Sequence, residues 1–209
     1  WENALKNAMR QAPDCILIGE IRDRETMAAA LAYAQTGHIC LATLHANNSY
    51  HALNRIINFY ALENRPALYL DLSVCLKAII SQRLVRKPNG ERTPAIEILL
   101  NTRHIQDLIE KGEINAIKEA IEQSMAPGSQ TFEQDLFRLY KENVITLEEA
   151  LANSDSPTNL SWLINNAQLN VPAAQEKKTA VPAAALDFDA AGTAASFTEF
   201  TFNVDDGAG

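Results

Sequence analysis

The fold is decided by residues 9–23, which read MRQAPDCILIGEIRD. Cys15 to Ile18 is an apolar run closed by Gly19, a pattern typical of a strand buried in a parallel sheet. Glu20 follows directly, so this strand delivers a carboxylate at its carboxyl end. Ligands of open α/β sheets bind at that edge. The stretch therefore predicts an α/β fold with a candidate catalytic acid.

A second strand follows one helix later. Residues 24–35 carry apolar side chains at helical spacing behind a predicted Asp23 N-cap, and residues 39–44 form another apolar run that ends before His45. Strand, helix and strand within about 30 residues predict one right-handed βαβ unit. We therefore expect Glu20 and His45 at the same edge of neighbouring strands about 4.8 Å apart, where both side chains can address one phosphate.

Three regions are predicted along the chain, at residues 1–100, 101–168 and 169–209. The rest of the first region is expected to hold a helix capped by Ser49, a helix from about Pro66 to Ile80, and two strands around an Asn89-Gly90 turn, at 83–85 and 95–99. In the second region the strand pattern stops, and short amphipathic segments predict a small helical bundle.

The third region differs in composition. The last 40 residues contain 11 alanines, six acidic residues and two basic residues, with no periodic apolar face. Such a segment cannot bury enough apolar area to offset its ordering entropy, so we predict a disordered tail. Its four phenylalanines form either a short docking motif or only part of a solvated segment.

Composition and charge exclude several classes of protein. A net charge of −8 without a basic stripe disfavours a nucleic-acid partner, and no apolar run reaches the length of a membrane span. Cys15, Cys40 and Cys75 are interpreted as reduced core thiols of a cytoplasmic protein, without a disulfide or metal framework. The chain lacks an initiator Met, and its first residues fall directly into a helical pattern with Leu5 and Met9 on one face, which suggests truncation.

Two motifs resemble those of a known family. Arg10-x-x-Pro13-Asp14-x-Ile16-Leu17-Ile18-Gly19-Glu20-Ile21-Arg22-Asp23 resembles the signature of the secretion ATPases of type II secretion and type IV pili. Thr36-Gly37-His38 and Ala42-Thr43-Leu44-His45-Ala46-Asn47 resemble the family's His box, and the resemblance continues to about Tyr140. It implies the second half of a RecA-like P-loop ATPase domain, followed by a helical carboxyl-terminal domain, with ATP and Mg²⁺ as cofactors.

Three further features point to a branch of that family. Extension and secretion members of the family carry two zinc-binding CxxC pairs after the strand that corresponds to Ser81–Val85. No such pair follows Ser81–Val85 here, and in this respect the chain resembles the pilus retraction ATPases of the PilT/PilU type. Gln106 stands where PilT-like chains have an arginine, and the acidic tail resembles the longer carboxyl terminus of the PilU type. This resemblance implies a motor subunit for pilus retraction and twitching motility, which couples ATP hydrolysis to pilus disassembly.

The resemblance also implies partners and a location. The expected assembly is a homo-hexamer that works beside a PilT-like ring and an inner-membrane platform protein, on the cytoplasmic side. The Walker A motif is absent from these 209 residues, so we expect the chain alone to be inactive. The alternative is a noncatalytic adaptor or regulator bound to a catalytic PilT-like ring. A DNA-packaging or conjugation ATPase is disfavoured by the missing basic stripe.

By this resemblance, Glu20 is the expected catalytic carboxylate and His45 the expected sensor of the γ-phosphate. Arg22 and Asp23 are expected to form an ion pair and a helix cap that hold the Glu20 loop, with nucleotide contact as a second role. A metal ligand is not expected in this chain, because Gly19 stands where many P-loop enzymes have a metal-binding Asp.

Two further residues keep open alternatives. His38 is either a nucleotide contact or a histidine at a helix end, where its positive form complements the helix dipole. Arg55 is either an arginine finger across a subunit boundary or a solvated side chain of an amphipathic helix.

Overall fold

The computed structural model describes residues 13–169. The predicted first helix, Arg10 of the signature and the predicted tail lie outside these residues. Within them, no helix combines the length and apolar composition needed to cross a membrane.

The described elements alternate between strands and helices and then become helical. In chain order they are β1 (Cys15–Ile18), α1 (Arg24–Gln35), β2 (Ile39–Ala42), α2 (Ser49–Asn58), a 3-10 turn (Leu62–Asn64), α3 (Arg65–Cys75), β3 (Ala78–Arg86), β4 (Arg92–Leu100), α4 (Arg103–Lys111), a second 3-10 turn (Ile114–Ala116), α5 (Ile117–Glu122), α6 (Phe132–Lys141), α7 (Leu147–Ala152) and α8 (Pro157–Leu169). This order confirms the predicted α/β class and the short helices that follow it.

Strands β1 and β2 pair in parallel, with Cys15 opposite Ile39 and Ile18 opposite Ala42. Helix α1 connects them, as predicted for a βαβ unit. The Asp23 side chain caps α1 by accepting from the Thr26 amide at 2.8 Å. At its other end, Gly37 takes a left-handed φ of 91° that suits glycine. Strand β2 ends two residues before the predicted Leu44, because its partner β1 ends at Ile18.

Strands β3 and β4 form the predicted hairpin as a nine-pair antiparallel ladder. The ladder begins at Ala78, so the prediction of a helix up to Ile80 was wrong: α3 ends at Cys75. The helical spacing of apolar residues continues past Cys75, but the residues from Ala78 onward pair with β4 and form a strand. The side-chain amide of Asn101 stabilises the end of α3 by donating to the carbonyls of Ser73 and Leu76, at 2.9 and 2.7 Å.

Two clusters of buried side chains form the core. The first includes Leu53 of α2, Leu72 of α3 and Leu99 of β4, and it extends through α4 and α5. The second joins Val85 and Ala95 of the hairpin to α6, α7 and α8. Elements on both sides of residue 100 therefore share both clusters, and the domain boundary expected there stays a prediction.

One face of the β1–β2 sheet is exposed, although β1 was predicted to be fully buried. Ile16 and Ile18 point into the core, whereas Leu17 is 74% exposed, and Ile39 and Leu41 of β2 are exposed as well. Alternation along a strand sends successive side chains to opposite faces, and no element within residues 13–169 covers the second face. For the same reason Cys15 is exposed, which corrects its interpretation as a core thiol; all three cysteines are free.

Helix α6 supplies a test of how local capping supports the second core cluster. Thr131 and Gln134 form a reciprocal capping box, with the Thr131 side chain 3.2 Å from the Gln134 amide. Thr131→Ala and Thr131→Ser both lack the buried methyl group, so their difference isolates the hydroxyl. We expect the Ala variant to be less stable than the Ser variant by about 1 kcal/mol in chemical denaturation. Equal stabilities would contradict a contribution from the cap.

Candidate functional site

The loops that follow β1 and β2 remain bonded to each other beyond the strands. The Ile21 amide donates to the Thr43 carbonyl at 2.9 Å, and the Thr43 hydroxyl donates to the Gly19 carbonyl. These two bonds hold both loops at the carboxyl edge of the sheet. Glu20 lies on the first of these loops and His45 on the second.

Glu20 and His45 meet at this edge, which confirms their predicted juxtaposition. The imidazole Nε2 lies 3.0 Å from Glu20 Oε1. The Glu20 side chain is 17% exposed, whereas His45 is 79% exposed. The carboxylate is therefore held within the fold, and the imidazole approaches it from solvent.

Arg22 binds Glu20 instead of the neighbour predicted for it. Its Nε donates to Glu20 Oε2, so the expected Arg22–Asp23 ion pair was wrong. Asp23 is already engaged by α1: the Thr26 amide and hydroxyl both donate to its Oδ1, at 2.8 Å each. Both bonds lower the pKa of the Asp23 carboxyl, and the bond from the Thr26 backbone amide has the larger effect. Asp23 therefore caps the helix, and Arg22 is left to bind Glu20.

An open pocket of about 530 Å³ adjoins the pair. Its lining residues are Gly19, Glu20, Arg22, Asp23 and Thr26. The pocket combines carboxylates with the Arg22 guanidinium, and His45 stands beside it through its contact with Glu20. Such a set can orient a water molecule and donate to an anionic group. Within residues 13–169, no three His, Cys, Asp or Glu side chains are grouped so as to hold a metal ion.

The remaining predicted site residues lie elsewhere. His38 precedes β2, at the opposite end of that strand from His45, and its Nδ1 lies 2.9 Å from the Thr36 hydroxyl. Four strand residues span about 13 Å, so the structure does not bring His38 and Glu20 together. Arg55 lies exposed on α2, and among the described residues its side chain makes no hydrogen bond or ion pair with Glu20 or His45.

Comparison with known proteins identifies the family. The model of the family "Type II/IV secretion system protein" matches residues 1–93. The type IV pilus ATPase PilU of Pseudomonas aeruginosa is 52% identical over 165 residues, which are 78% of this chain and 43% of that protein. The chain belongs to the PilT/PilU-type secretion ATPases.

Other relatives of the chain agree with this family. The pilus retraction ATPase PilT of Pseudomonas aeruginosa is 34% identical over 76% of the chain and 46% of that protein. The crystal structure of the pilus retraction motor PilT with bound ADP matches with a TM-score of 0.69 and 37% identity, over 77% of this chain and 45% of that one. The chain therefore spans slightly less than half the length of the relatives it matches, and its fold is compatible with part of a RecA-like ATPase domain.

Thr43 is the residue of this site that sequence reasoning missed. It stands inside the quoted His-box stretch, but a threonine in an apolar run is usually explained by β propensity alone. Its side-chain bond to Gly19 depends on the register of two strands 24 residues apart. A polar side chain just before the second loop was the available signal.

The Thr43 bond gives a test of how the site is held. Thr43→Val keeps the shape of the side chain and removes its hydrogen bond to Gly19. We expect hydrogen exchange in residues 19–22 to become about three- to tenfold faster, the range that corresponds to one lost hydrogen bond. Mass spectrometry of exchanged peptides measures this change. Thr36→Val, which removes a hydroxyl at the other end of β2, is the control, and equal changes in both variants would contradict a local role.

Proposed function

We propose that this chain is part of a motor subunit for type IV pilus retraction, PilU-like, which couples ATP hydrolysis to pilus disassembly and twitching motility. The observation that carries the proposal is the Glu20–His45 contact at the carboxyl edge of a parallel strand pair. The similarity of the chain to the pilus ATPases PilU and PilT supports the same proposal.

Glu20 is proposed as the catalytic carboxylate. Its low exposure and its contacts with Arg22 and His45 fix the orientation of both oxygens. A carboxylate held in this way orients an attacking water by accepting its hydrogen bond, while the γ-phosphate of ATP supplies the electrophile. Arg22 and Asp23 are proposed as supporting residues, Arg22 through Glu20 and Asp23 through the start of α1.

His45 is proposed as the sensor of the phosphate. Its Nε2 lies against Glu20 Oε1, so binding of Nε2 to a phosphate oxygen moves the imidazole away from Glu20. This exchange of partners frees a Glu20 oxygen for water when a phosphate is present. Arg55 remains a proposed contact across a subunit boundary, and His38 remains a proposed nucleotide contact. This chain does not place either residue beside Glu20.

ATP and Mg²⁺ are the proposed cofactors, and the residues present fit only part of such a site. Glu20, Arg22 and His45 suit the γ-phosphate end of ATP, whereas the sequence of 209 residues contains no Gly-x-x-x-x-Gly-Lys-Ser/Thr motif for the phosphate cradle. We propose that the chain by itself does not turn over ATP. The proposed assembly is a homo-hexamer in contact with a PilT-like ring and an inner-membrane platform protein, on the cytoplasmic side.

The second candidate is a noncatalytic adaptor or regulator that binds a catalytic PilT-like ring. In this function the Glu20–His45 pair serves only to hold two loops together. The two candidates differ in whether the charge of Glu20 is needed for turnover.

Substitution of Glu20 separates them. In the protein expressed from its complete reading frame, we expect Glu20→Gln to lower ATP turnover by about 10²-fold or more with ATP binding largely retained, because the change removes a charge and keeps the shape. Glu25→Gln, an exposed position on α1 with the same change in charge, is the matched control. Unchanged turnover in the Glu20 variant would favour the adaptor, and an equal loss of nucleotide affinity would contradict the catalytic role.

The 209-residue chain provides a separate test. We expect no ATPase activity above background in the purified chain, because a phosphate cradle of backbone amides and lysine is needed to bind ATP productively. A coupled phosphate-release assay measures this. Turnover that disappears in Glu20→Gln would show that the 209-residue chain contains a complete site.

A further inference from the structure

The segment that follows His45 is short and anchored at its far end. Ala46, Asn47 and Asn48 lead from His45 into α2, and Asn48 is buried in an extended conformation. The Asn48 side chain caps α2 by accepting from the His51 amide at 2.8 Å, so the cap lies one residue before the predicted Ser49. Three residues span at most about 11 Å. Because so few residues separate Asn48 from His45, a displacement of Asn48 is expected to move His45 as well.

Arg83 of β3 binds this segment and the last helices at once. Its guanidinium donates to the carbonyl of Asn153 at 2.7 Å and to the carbonyl of Asn47 at 3.3 Å. It also pairs with Asp155 and lies over the Phe132 ring of α6, 4.0 Å from the ring centre. A planar guanidinium with five donors can make all of these contacts together, and a lysine ammonium cannot.

Asp155 completes the connection. It lies in the loop between α7 and α8. Its Oδ2 accepts from the side-chain amide of Asn48 at 2.9 Å, and its Oδ1 accepts from Arg83. Burial raises the pKa of this carboxyl, but the hydrogen bonds from Asn48 and Arg83 outweigh that effect, so its pKa is lowered overall. The group is therefore ionised near neutral pH, and it binds the residue that ends the segment after His45.

The α7–α8 loop is also fixed to the helices around it. Glu133 of α6 is buried and accepts from the Ser156 amide at 2.8 Å and from the Ser154 hydroxyl at 3.3 Å. Lys118 of α5 donates to the same carboxylate oxygen at 3.1 Å. The loop thus moves with α5 and α6 rather than independently of them.

We propose that Arg83 and Asp155 are positioning residues for His45, so that the placement of the carboxyl-terminal helices sets how the imidazole meets Glu20. The proposal rests on the sensor role proposed for His45 above. The contacts of Arg83 and Asp155 with residues 47, 48 and 153 are named the Arg83–Asp155 junction. Through this junction, a partner that shifts α6, α7 or α8 changes the site at the β1–β2 edge, and a change at His45 is transmitted to those helices.

The experiment uses the whole chain and needs no nucleotide. Asp155→Asn keeps the size of the side chain and removes its charge, and Arg83→Lys keeps a charge and loses the planar fork. The first measurement is the imidazole Cε1–H resonance of His45 by NMR, assigned by its loss in His45→Gln. The second is hydrogen exchange in residues 43–48.

Arg138→Gln is the matched control. Arg138 also binds a buried aspartate, Asp135, but its contacts lie within α6 and with Glu142 at the end of that helix, away from the segment after His45. A change that follows from general destabilisation appears in this variant as well. His104, on α4, provides an internal reference resonance.

We expect the His45 resonance to shift in Asp155→Asn and Arg83→Lys, with at least about tenfold faster exchange in residues 43–48, while His104 and Arg138→Gln show neither change. A shift of His51 alone, with His45 unmoved, would overturn the proposal, because the effect would then stop at the α2 cap. Equal changes in Arg138→Gln would also overturn it. Neither result depends on ATP turnover, so the proposal and the catalytic role of Glu20 fail separately.

Discussion

The parallel pairing of β1 and β2, continued past the strands by Ile21 and Thr43, is the constraint on which the site depends. Parallel strands place their carboxyl ends at one edge, so the residues that follow them must meet there. Two bonds between the loops then remove most of the freedom that short exposed segments otherwise have. The meeting of Glu20 and His45 follows from this backbone arrangement and does not require strong attraction between the side chains, since exposed ion pairs contribute little.

The β3–β4 hairpin connects this edge to the rest of the described structure. Leu99 of β4 belongs to the core cluster around α2 and α3, whereas Val85 and Ala95 belong to the cluster with α6, α7 and α8. A nine-pair ladder is stiff compared with a loop, so it fixes the distance between the two clusters. Arg83 lies on this ladder with its side chain 19% exposed, between the segment after His45 and the α7–α8 loop.

Local signals in the sequence predicted what local physics determines. Asp23 as the cap of α1, Gly37 after that helix and the Asn89-Gly90 turn each depend on a few neighbouring residues, and the structure confirms them. The predicted end of α3 was wrong because strand pairing between β3 and β4, across 20 residues, prevails over the helical spacing of the apolar residues. The partner of Arg22 and the contacts of Asp155 were not predictable for the same reason. Each depends on a side chain brought near by folding.

The difference in exposure between Glu20 and His45 bears on how such a site works. An acid that orients water, the role proposed for Glu20, must keep its place throughout a cycle, and Glu20 is held between the Arg22 guanidinium and the His45 imidazole. A sensor must exchange one partner for another, and an imidazole that is 79% exposed can do so with little loss of packing. Its freedom is bounded on one side by the Thr43 bonds and on the other by the anchored Asn48. His45 can therefore move only within residues 44–47, between these two anchors, and this segment is short enough for a movement of His45 to affect both anchors.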